Sequence, residues 1–151
     1  MQNFFKIFEL EEKYDLDKSL LDSKYFTLLA KYHPDKARNQ EEKIEFLTLS
    51  TMINNGYKTL TDDFERAAHI LEIHGINIKN DILAPKLPAE ILEEILEMHE
   101  KMELATSVEE KQRLKNQQDT YKKALLSELK TVFRAKDFNA ASMKTMHLRY
   151  L

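Results

Sequence analysis

The stretch 31–36, Lys-Tyr-His-Pro-Asp-Lys, decides the fold of this 151-residue chain because it separates two long helical patterns. Pro34 has no N–H to donate, and proline disfavours the helical conformation in the residue before it, so a helix entering the stretch should end at about His33. The stretch then leaves the carboxylate of Asp35 in a turn between two helices. Solvated turns on a rigid scaffold commonly carry function, so the sequence predicts a docking site at this tip.

Two amphipathic patterns flank the stretch. The first follows Asp17, a suitable N-cap, and places apolar residues on one helical face at Leu21, Tyr25, Leu28 and Tyr32. The second begins at about Glu41 and repeats at Phe46, Leu49, Ile53, Tyr57 and Leu60. Each helix can bury its apolar face only against a partner, so the two should pack antiparallel and leave the loop 33–40 in solvent.

Composition predicts an all-α protein that stays inside the cell. The chain is 42% hydrophobic and has only 2 Gly and 3 Pro, which leaves few residues for tight hairpin turns. It has no cysteine, which excludes disulfides and thiolate metal sites. No apolar run approaches the ~20 residues that cross a bilayer. The net charge of −3 does not form a basic footprint in either half, so we expect neither a nucleic-acid nor a membrane partner.

The segment 76–87 lacks a sustained period and contains Pro85, so it is predicted to be a linker or elbow. It would separate a domain at 1–75 from a second domain at 88–151. Three helical patterns follow it, opened by Pro88 at a first-turn position, by Ser107 and by Asp137. Their apolar seams predict a three-helix bundle with core positions at Ile91, Ile95, Met98, Met102, Leu114, Tyr121, Leu125, Val132, Phe138, Ala141 and Leu148.

The first helix of this bundle carries more apolar surface than its seam requires. Leu92 and Leu96 fall about 100° or more to one side of that seam on a helical wheel. The stretch 90–103 holds six Glu against one Lys, so the leucine pair is framed by carboxylates. By pattern alone this is a solvated acidic face at the edge of the bundle, and a partner-binding face is the alternative.

A helix that ends in Tyr-His-Pro-Asp-Lys and is followed by a second long helix resembles a J-domain, the module that stimulates ATP hydrolysis by DnaK-class chaperones. Three further blocks narrow the resemblance to the HscB-type (Jac-type) co-chaperones of iron-sulfur cluster assembly. These blocks are 1–10, with its Phe4-Phe5 pair, then 53–60 (INNGYKTL) and 66–75 (RAAHILEIHG). They span the first half of the chain, and a weaker likeness continues to Tyr150.

The resemblance implies an N-terminal J-domain, formed by the helical hairpin with flanking short helices, and a scaffold-binding C-terminal bundle. It implies two partners, an HscA/DnaK-class ATPase chaperone and an IscU-type iron-sulfur scaffold protein, with no cofactor or metal of its own. The implied chaperone-binding residues are His33, Pro34, Asp35, Lys31, Lys36 and Lys24. The implied scaffold-binding residues are Leu92, Leu96, Glu97, Glu100, Glu103 and Tyr150. The chain departs from the family pattern at Ala30, where a basic residue is usual, and at Leu104, an acidic position for which Glu103 is the nearest substitute.

Residue types suggest a role for each member of the tip. Pro34 fixes the turn, Asp35 offers a carboxylate to a partner arginine, and His33 braces the loop or the partner.

Other functions are weaker on the same residues. The histidines form no metal-ligand spacing, and no phosphate loop or nucleophile motif is present, so we do not expect an enzyme. The alternatives are a general J-domain co-chaperone with another client and a helical adaptor without chaperone stimulation. The intact His33-Pro34-Asp35 argues against the adaptor, and Leu92 with Leu96 favours the iron-sulfur client. The expected compartment is the cytoplasm, or the mitochondrial matrix for a processed organellar form.

Overall fold

The computed structural model describes residues 2–151, and over that range every regular element is helical. The chain divides between Ile73 and His74 into two compact units. The predicted all-α class is confirmed, and each unit builds its own core.

The N-terminal unit contains four α-helices and one turn of 3-10 helix. They are α1 (Phe4–Ile7), α2 (Lys18–Lys31), the 3-10 turn (Pro34–Lys36), α3 (Gln40–Thr61) and α4 (Asp63–Ile73). Asp17 caps α2 as predicted, because its side chain accepts the Leu20 N–H at 3.2 Å. Helix α3 begins one residue earlier than the predicted Glu41, because Asn39 caps it and its side chain accepts the Glu42 N–H at 2.8 Å.

Helices α2 and α3 form the predicted antiparallel hairpin. Helices α1 and α4 pack against α3. The core of this unit consists of Phe5, Phe8, Tyr14, Leu21, Ile53, Leu60, Ala67, Ala68, Ile70 and Leu71. Gly56 of α3 is buried in the contact with α1. A Cβ at that position would lie 2.9 Å from Phe4 Cδ1 and 3.0 Å from Phe8 Cε2, so the missing side chain lets α1 approach α3 closely.

His69 of α4 also contacts α1 and fixes its position. Its ring is 5% exposed, and Nε2 accepts the Phe4 N–H at 3.1 Å. The Phe4 and Phe5 rings lie 4.8 and 6.0 Å from the imidazole. Burial in this apolar site lowers the pKa of His69, so the neutral ring that accepts the hydrogen bond is the favoured form.

The C-terminal unit is a three-helix arrangement of α5 (Ala89–Leu104), α6 (Val108–Arg134) and α7 (Phe138–Tyr150). Ser107 and Asp137 cap α6 and α7 as predicted, accepting the Glu110 and Ala140 N–H groups at 3.1 Å each. Pro88 differs from the prediction, because it occupies the N-cap position and α5 begins one residue later.

The core of this unit overlaps the predicted seams without matching them. Buried positions include Ile78, Ile95, Leu114, Leu125, Leu129, Phe133, Ala141, Thr145, Met146 and Leu148. Leu129 and Phe133 were not among the predicted seam residues, whereas Tyr121 and Val132 are only half-buried. The segment 76–87 contains no helix, yet it contributes Ile78, which is 1% exposed.

Candidate functional site

The tip of the α2–α3 hairpin is a turn fixed by its own main chain. Helix α2 closes when the Tyr32 N–H donates to the Leu28 carbonyl at 3.0 Å. His33 is extended, with φ −65° and ψ 132°, and Pro34 opens the 3-10 turn. The Lys36 N–H donates to the His33 carbonyl at 2.9 Å. The N–H that proline lacks would have no partner at the first position of a helix, so Pro34 sets the turn at no cost in hydrogen bonding.

His33 and Asp35 have different roles in this turn. His33 Nδ1 accepts the Asp35 backbone N–H at 3.1 Å, which assigns the neutral ring a proton on Nε2. The same Nδ1 lies 3.6 Å from Asp35 Oδ2, too long for a hydrogen bond. The Asp35 side chain is 91% exposed. His33 therefore braces the backbone, and the Asp35 carboxylate is displayed to solvent.

Two contacts with residues of helix α3 stabilise the tip. Ser50 Oγ donates to the Tyr32 carbonyl at 2.9 Å, which satisfies an acceptor left open at the end of α2. At the start of α3, Arg38 Nη2 lies 3.1 Å from Glu42 Oε2, and the hydrogen bond from Arg38 lowers the pKa of Glu42. Ser50 was not among the residues predicted at the tip. Its signal was a hydroxyl four residues after Phe46, on the face that meets α2.

A second set of side chains fixes the hairpin farther from the tip. The Tyr25 and Tyr57 rings stack with centroids 4.0 Å apart. Tyr25 donates its hydroxyl proton to Asn54 Oδ1, and Tyr57 donates to Asp22 Oδ1, each at 2.7 Å. The hydrogen bond to Asp22 raises the pKa of the Tyr57 hydroxyl. Two polar links and one ring stack therefore set the register of α2 on α3.

The basic residues expected at the tip are not equivalent. Lys31 and Lys36 are exposed and flank His33 and Asp35 in the chain. The Lys31 ammonium lies 5.2 Å from the Tyr32 ring centroid. Lys24 lies about two turns farther back, with its Nζ 3.9 Å from Glu9 Oε2, so its charge is directed toward the loop after α1. The structure therefore brings Lys31, Lys36 and the His-Pro-Asp turn together and leaves Lys24 apart.

The acidic face of α5 is present, but its two leucines differ in exposure. Leu96 is 57% exposed, whereas Leu92 is half-buried. Ile95, the buried seam residue, explains the difference. At about 100° per residue, Leu92 lies about 60° from Ile95 on the wheel and Leu96 about 100°. The surrounding Glu97, Glu100 and Glu103 are exposed.

Tyr150, the remaining predicted scaffold contact, is 44% exposed at the end of α7. Residue Leu151 ties this end to the other helices, because its carbonyl lies 3.0 Å from Gln118 Nε2 and 3.2 Å from His99 Nε2. His99 lies one turn after Leu96 on α5, so the end of α7 lies beside the acidic face. His99 and Gln118, which position this end, were not among the predicted site residues.

Both candidate sites are exposed surfaces that can bind a partner, not clefts that enclose a small molecule. Within residues 2–151, no group of three His, Cys, Asp or Glu side chains is arranged to hold a metal ion. Over the same range, no helix has the length and apolar character needed to cross a membrane.

Comparison with known proteins identifies the family. Residues 87–151 match the family model described as the HSCB C-terminal oligomerisation domain. A co-chaperone HscB homolog from Neisseria meningitidis serogroup C (strain 053442) is 30% identical over 159 residues, spanning 100% of this chain and 93% of the relative. The corresponding homolog from Shewanella amazonensis is 28% identical and covers 99% of this chain and 90% of its own.

Solved structures agree with these relatives. The human co-chaperone HscB superimposes with a TM-score of 0.89 at 25% identity, covering 99% of this chain and 77% of the human one. HscB from Vibrio cholerae, at 23% identity, has the same fold, with a TM-score of 0.86 over 99% of this chain and 90% of its own. The resemblance deduced from the His-Pro-Asp turn and its flanking blocks is confirmed. The chain belongs to the HscB family of co-chaperones.

Proposed function

We propose that this protein is a co-chaperone of iron-sulfur cluster biogenesis. It binds an IscU-type scaffold protein through its C-terminal unit and delivers it to an HscA/DnaK-class ATPase chaperone, whose ATP hydrolysis it stimulates through His33-Pro34-Asp35. The observation that carries the proposal is the Asp35 carboxylate, 91% exposed on a turn braced by His33 and Ser50, in a chain of the HscB family.

The chemistry of the tip suits recognition of a cationic group on the chaperone. An exposed carboxylate can accept a charge-assisted hydrogen bond from an arginine, worth roughly 1.5–3 kcal/mol. The braced turn lowers the entropy lost when the carboxylate is held in one position. Lys31 and Lys36, beside it, fit an acidic surface around that arginine. Asp35 is therefore the principal contact, and Pro34 and His33 position it.

The acidic face of α5 is the proposed scaffold site. Leu96 supplies apolar area that binding would remove from water, and Leu92 extends that area toward the bundle core. Glu97, Glu100 and Glu103 form a carboxylate rim that selects a basic partner surface. Tyr150 lies at the end of α7 that His99 holds beside this face.

Carrying both sites on one chain gives a mechanism of delivery. A scaffold bound to α5 reaches the chaperone at the effective concentration set by the tether, which can raise overall avidity by roughly 10²–10⁴. Stimulation of ATP hydrolysis is then coupled to the presence of client. The site of action is the cytoplasm, or the mitochondrial matrix in an organellar form.

The test is single-turnover ATP hydrolysis by an HscA-type chaperone with purified scaffold, with binding of the scaffold measured separately by calorimetry. Asp35→Asn should abolish stimulation and retain scaffold binding. Glu41→Gln, which removes an exposed carboxylate from the start of α3, serves as the charge-matched control and should behave as wild type.

The reciprocal variant is Leu92→Ala with Leu96→Ala, which should lose scaffold binding and the synergy with scaffold while retaining basal stimulation. Val108→Ala removes an apolar side chain that is 80% exposed on α6 and is the matched control. Stimulation that is indifferent to the scaffold would instead identify a general J-domain co-chaperone. Absence of stimulation by folded wild-type protein would leave a helical adaptor.

A further inference from the structure

Phe26 is an exposed aromatic residue on the helix that leads to the tip. Its side chain is 64% exposed. Tyr150, the other aromatic residue among the exposed large apolar residues in the described part of the chain, is 44% exposed. Phe26 precedes Ala30 by four residues and His33 by seven, so the three positions follow one face of α2 toward the tip. The distance along the helix axis from Phe26 to the turn is about 10 Å.

The neighbours of Phe26 on the helix surface leave its ring uncovered. The positions three and four residues away are Asp22, Ser23, Leu29 and Ala30. Asp22 is bonded to α3, and Leu29 is half-buried against the hairpin. No lysine or arginine stem lies at these positions to shield the ring, so the ring remains exposed to solvent.

The backbone that carries Phe26 is held firmly. The adjacent Tyr25 ring lies 5.3 Å from the Phe26 ring, and Tyr25 is stacked on Tyr57 and bonded to Asn54. An aromatic side chain has few rotatable bonds, so a ring presented from a fixed helix loses little entropy on binding. This is the arrangement of a binding anchor.

We infer, as an extension that rests on the proposed function, that Phe26 is a specificity-determining contact with the ATPase chaperone and fills an apolar recess on its surface while Asp35 engages the cationic group. Continuity selects this occupant, because Phe26 shares a helix face with the turn that carries Asp35. Charge agrees, because the exposed Lys31 and Lys36 flank the turn and favour a partner surface that carries acidic groups around the recess. Ala30, one turn from Phe26 on the same face, places no charge or long side chain beside the ring.

The experiment measures single-turnover ATP hydrolysis by the HscA-type chaperone as the concentration of full-length co-chaperone is varied. Phe26→Ala should raise the half-saturating concentration about tenfold and leave maximal stimulation unchanged, as expected for loss of a central aromatic contact. Phe26→Tyr retains the ring and should rescue most of that affinity. Leu20→Ala is the matched control, since Leu20 is 46% exposed on α2 but lies on a different face and farther from the tip. It should match wild type.

The outcomes separate this inference from the proposed function. A half-saturating concentration that Phe26→Ala leaves unchanged would overturn the inference, as would equal losses in Phe26→Ala and Leu20→Ala. A change in self-association with unaltered stimulation would assign Phe26 to a second copy of the chain and would also refute it. Failure of Asp35→Asn to abolish stimulation refutes the proposed function itself, whatever Phe26 does. Thermal unfolding by circular dichroism verifies that each variant is folded, and Phe26→Gln repeats the test with a polar side chain.

Discussion

Gly56→Ala should destabilise the N-terminal unit, although alanine is the better helix former. The new Cβ would lie 2.9 Å from Phe4 Cδ1 and 3.0 Å from Phe8 Cε2, against an ordinary carbon–carbon contact of about 3.5–4.0 Å. One of the partners must therefore move by about 0.5 Å or more. Phe8 is 0% exposed, and the Phe4 ring lies against the His69 imidazole with centroids 4.8 Å apart, so neither ring can move freely.

The two opposing contributions set the magnitude of that effect. Replacing glycine by alanine inside a helix contributes about 1 kcal/mol of stability. Overpacking a tight contact costs about 1–3 kcal/mol. The expected balance is a net loss of about 1 kcal/mol, which corresponds to a fall in Tm of about 4–8 °C for a unit of this size.

Thermal and urea unfolding followed by far-UV circular dichroism measure this loss. Asn55→Ala is the matched control, because Asn55 is exposed on the same helix and alanine should raise stability there by about 0.5 kcal/mol. The difference between the two variants isolates the contact with α1. If Gly56→Ala were as stable as Asn55→Ala, the two phenylalanine rings would be free to relax and the close approach of α1 would not require glycine.

Three further perturbations test other parts of the molecule. Because burial lowers the pKa of His69, the unfolded chain binds a proton more readily. The contribution of His69 to stability should be full above about pH 6.5 and fall below it by at most about 1.4 kcal/mol per pH unit. His69→Gln should remove that part of the slope in denaturant titrations at a series of pH values, while His147, whose pKa burial also lowers, keeps its own part. Ser50→Ala should lower the free energy of unfolding by about 0.5–1.5 kcal/mol and weaken stimulation of the chaperone, because the Tyr32 carbonyl loses its partner. Unchanged stimulation kinetics would show that the tip does not depend on this bond. Leu129→Ala, at a fully buried position, should lower the free energy of unfolding of the C-terminal unit by about 2–5 kcal/mol and leave stimulation measured without scaffold unchanged. Loss of that basal stimulation would contradict the proposal that the N-terminal unit alone stimulates the chaperone.

The ends of most helices were predictable because local chemistry sets them. Asp17, Ser107 and Asp137 each satisfy free N–H groups of the following turn, an interaction that needs no tertiary partner. Pro34 ends α2 by the same kind of local constraint. Pro88 was placed one residue off, because a proline fits both the residue before a helix and its first position.

The buried face of α6 was predicted less accurately than the ends of the helices. The predicted seam, with Leu114 and Leu125, ran through Tyr121 and Val132, whereas Leu129 and Phe133 are buried instead. Helix α6 packs against both α5 and α7, so its covered face is wider than a single seam and is centred by the positions of its partners.

The candidate sites show the same division between local and tertiary information. The exposed turn at Asp35 followed from the proline and the two flanking patterns. The bond from Ser50 to the end of α2 depends on the register between two helices, which no local pattern specifies. The unequal exposure of Leu92 and Leu96, in contrast, follows from their different angles to Ile95 on the helix, so the predicted seam already contained it.

The unequal lengths of α6 and α7 imply a gradient of local stability along the bundle. Helix α6 has 27 residues and α7 has 13, about 40 Å against about 20 Å. Gln118, Tyr121 and Glu128 of α6 each have a polar link to the end or body of α7, whereas the stretch 108–117 contains Leu114 as its one buried side chain. Amide hydrogens in that first part of α6 should exchange faster than those near Leu129, because local opening there exposes little apolar surface. If the proposed scaffold binds α5, which packs against α6, amide exchange in this part of α6 should slow even though the scaffold does not contact it.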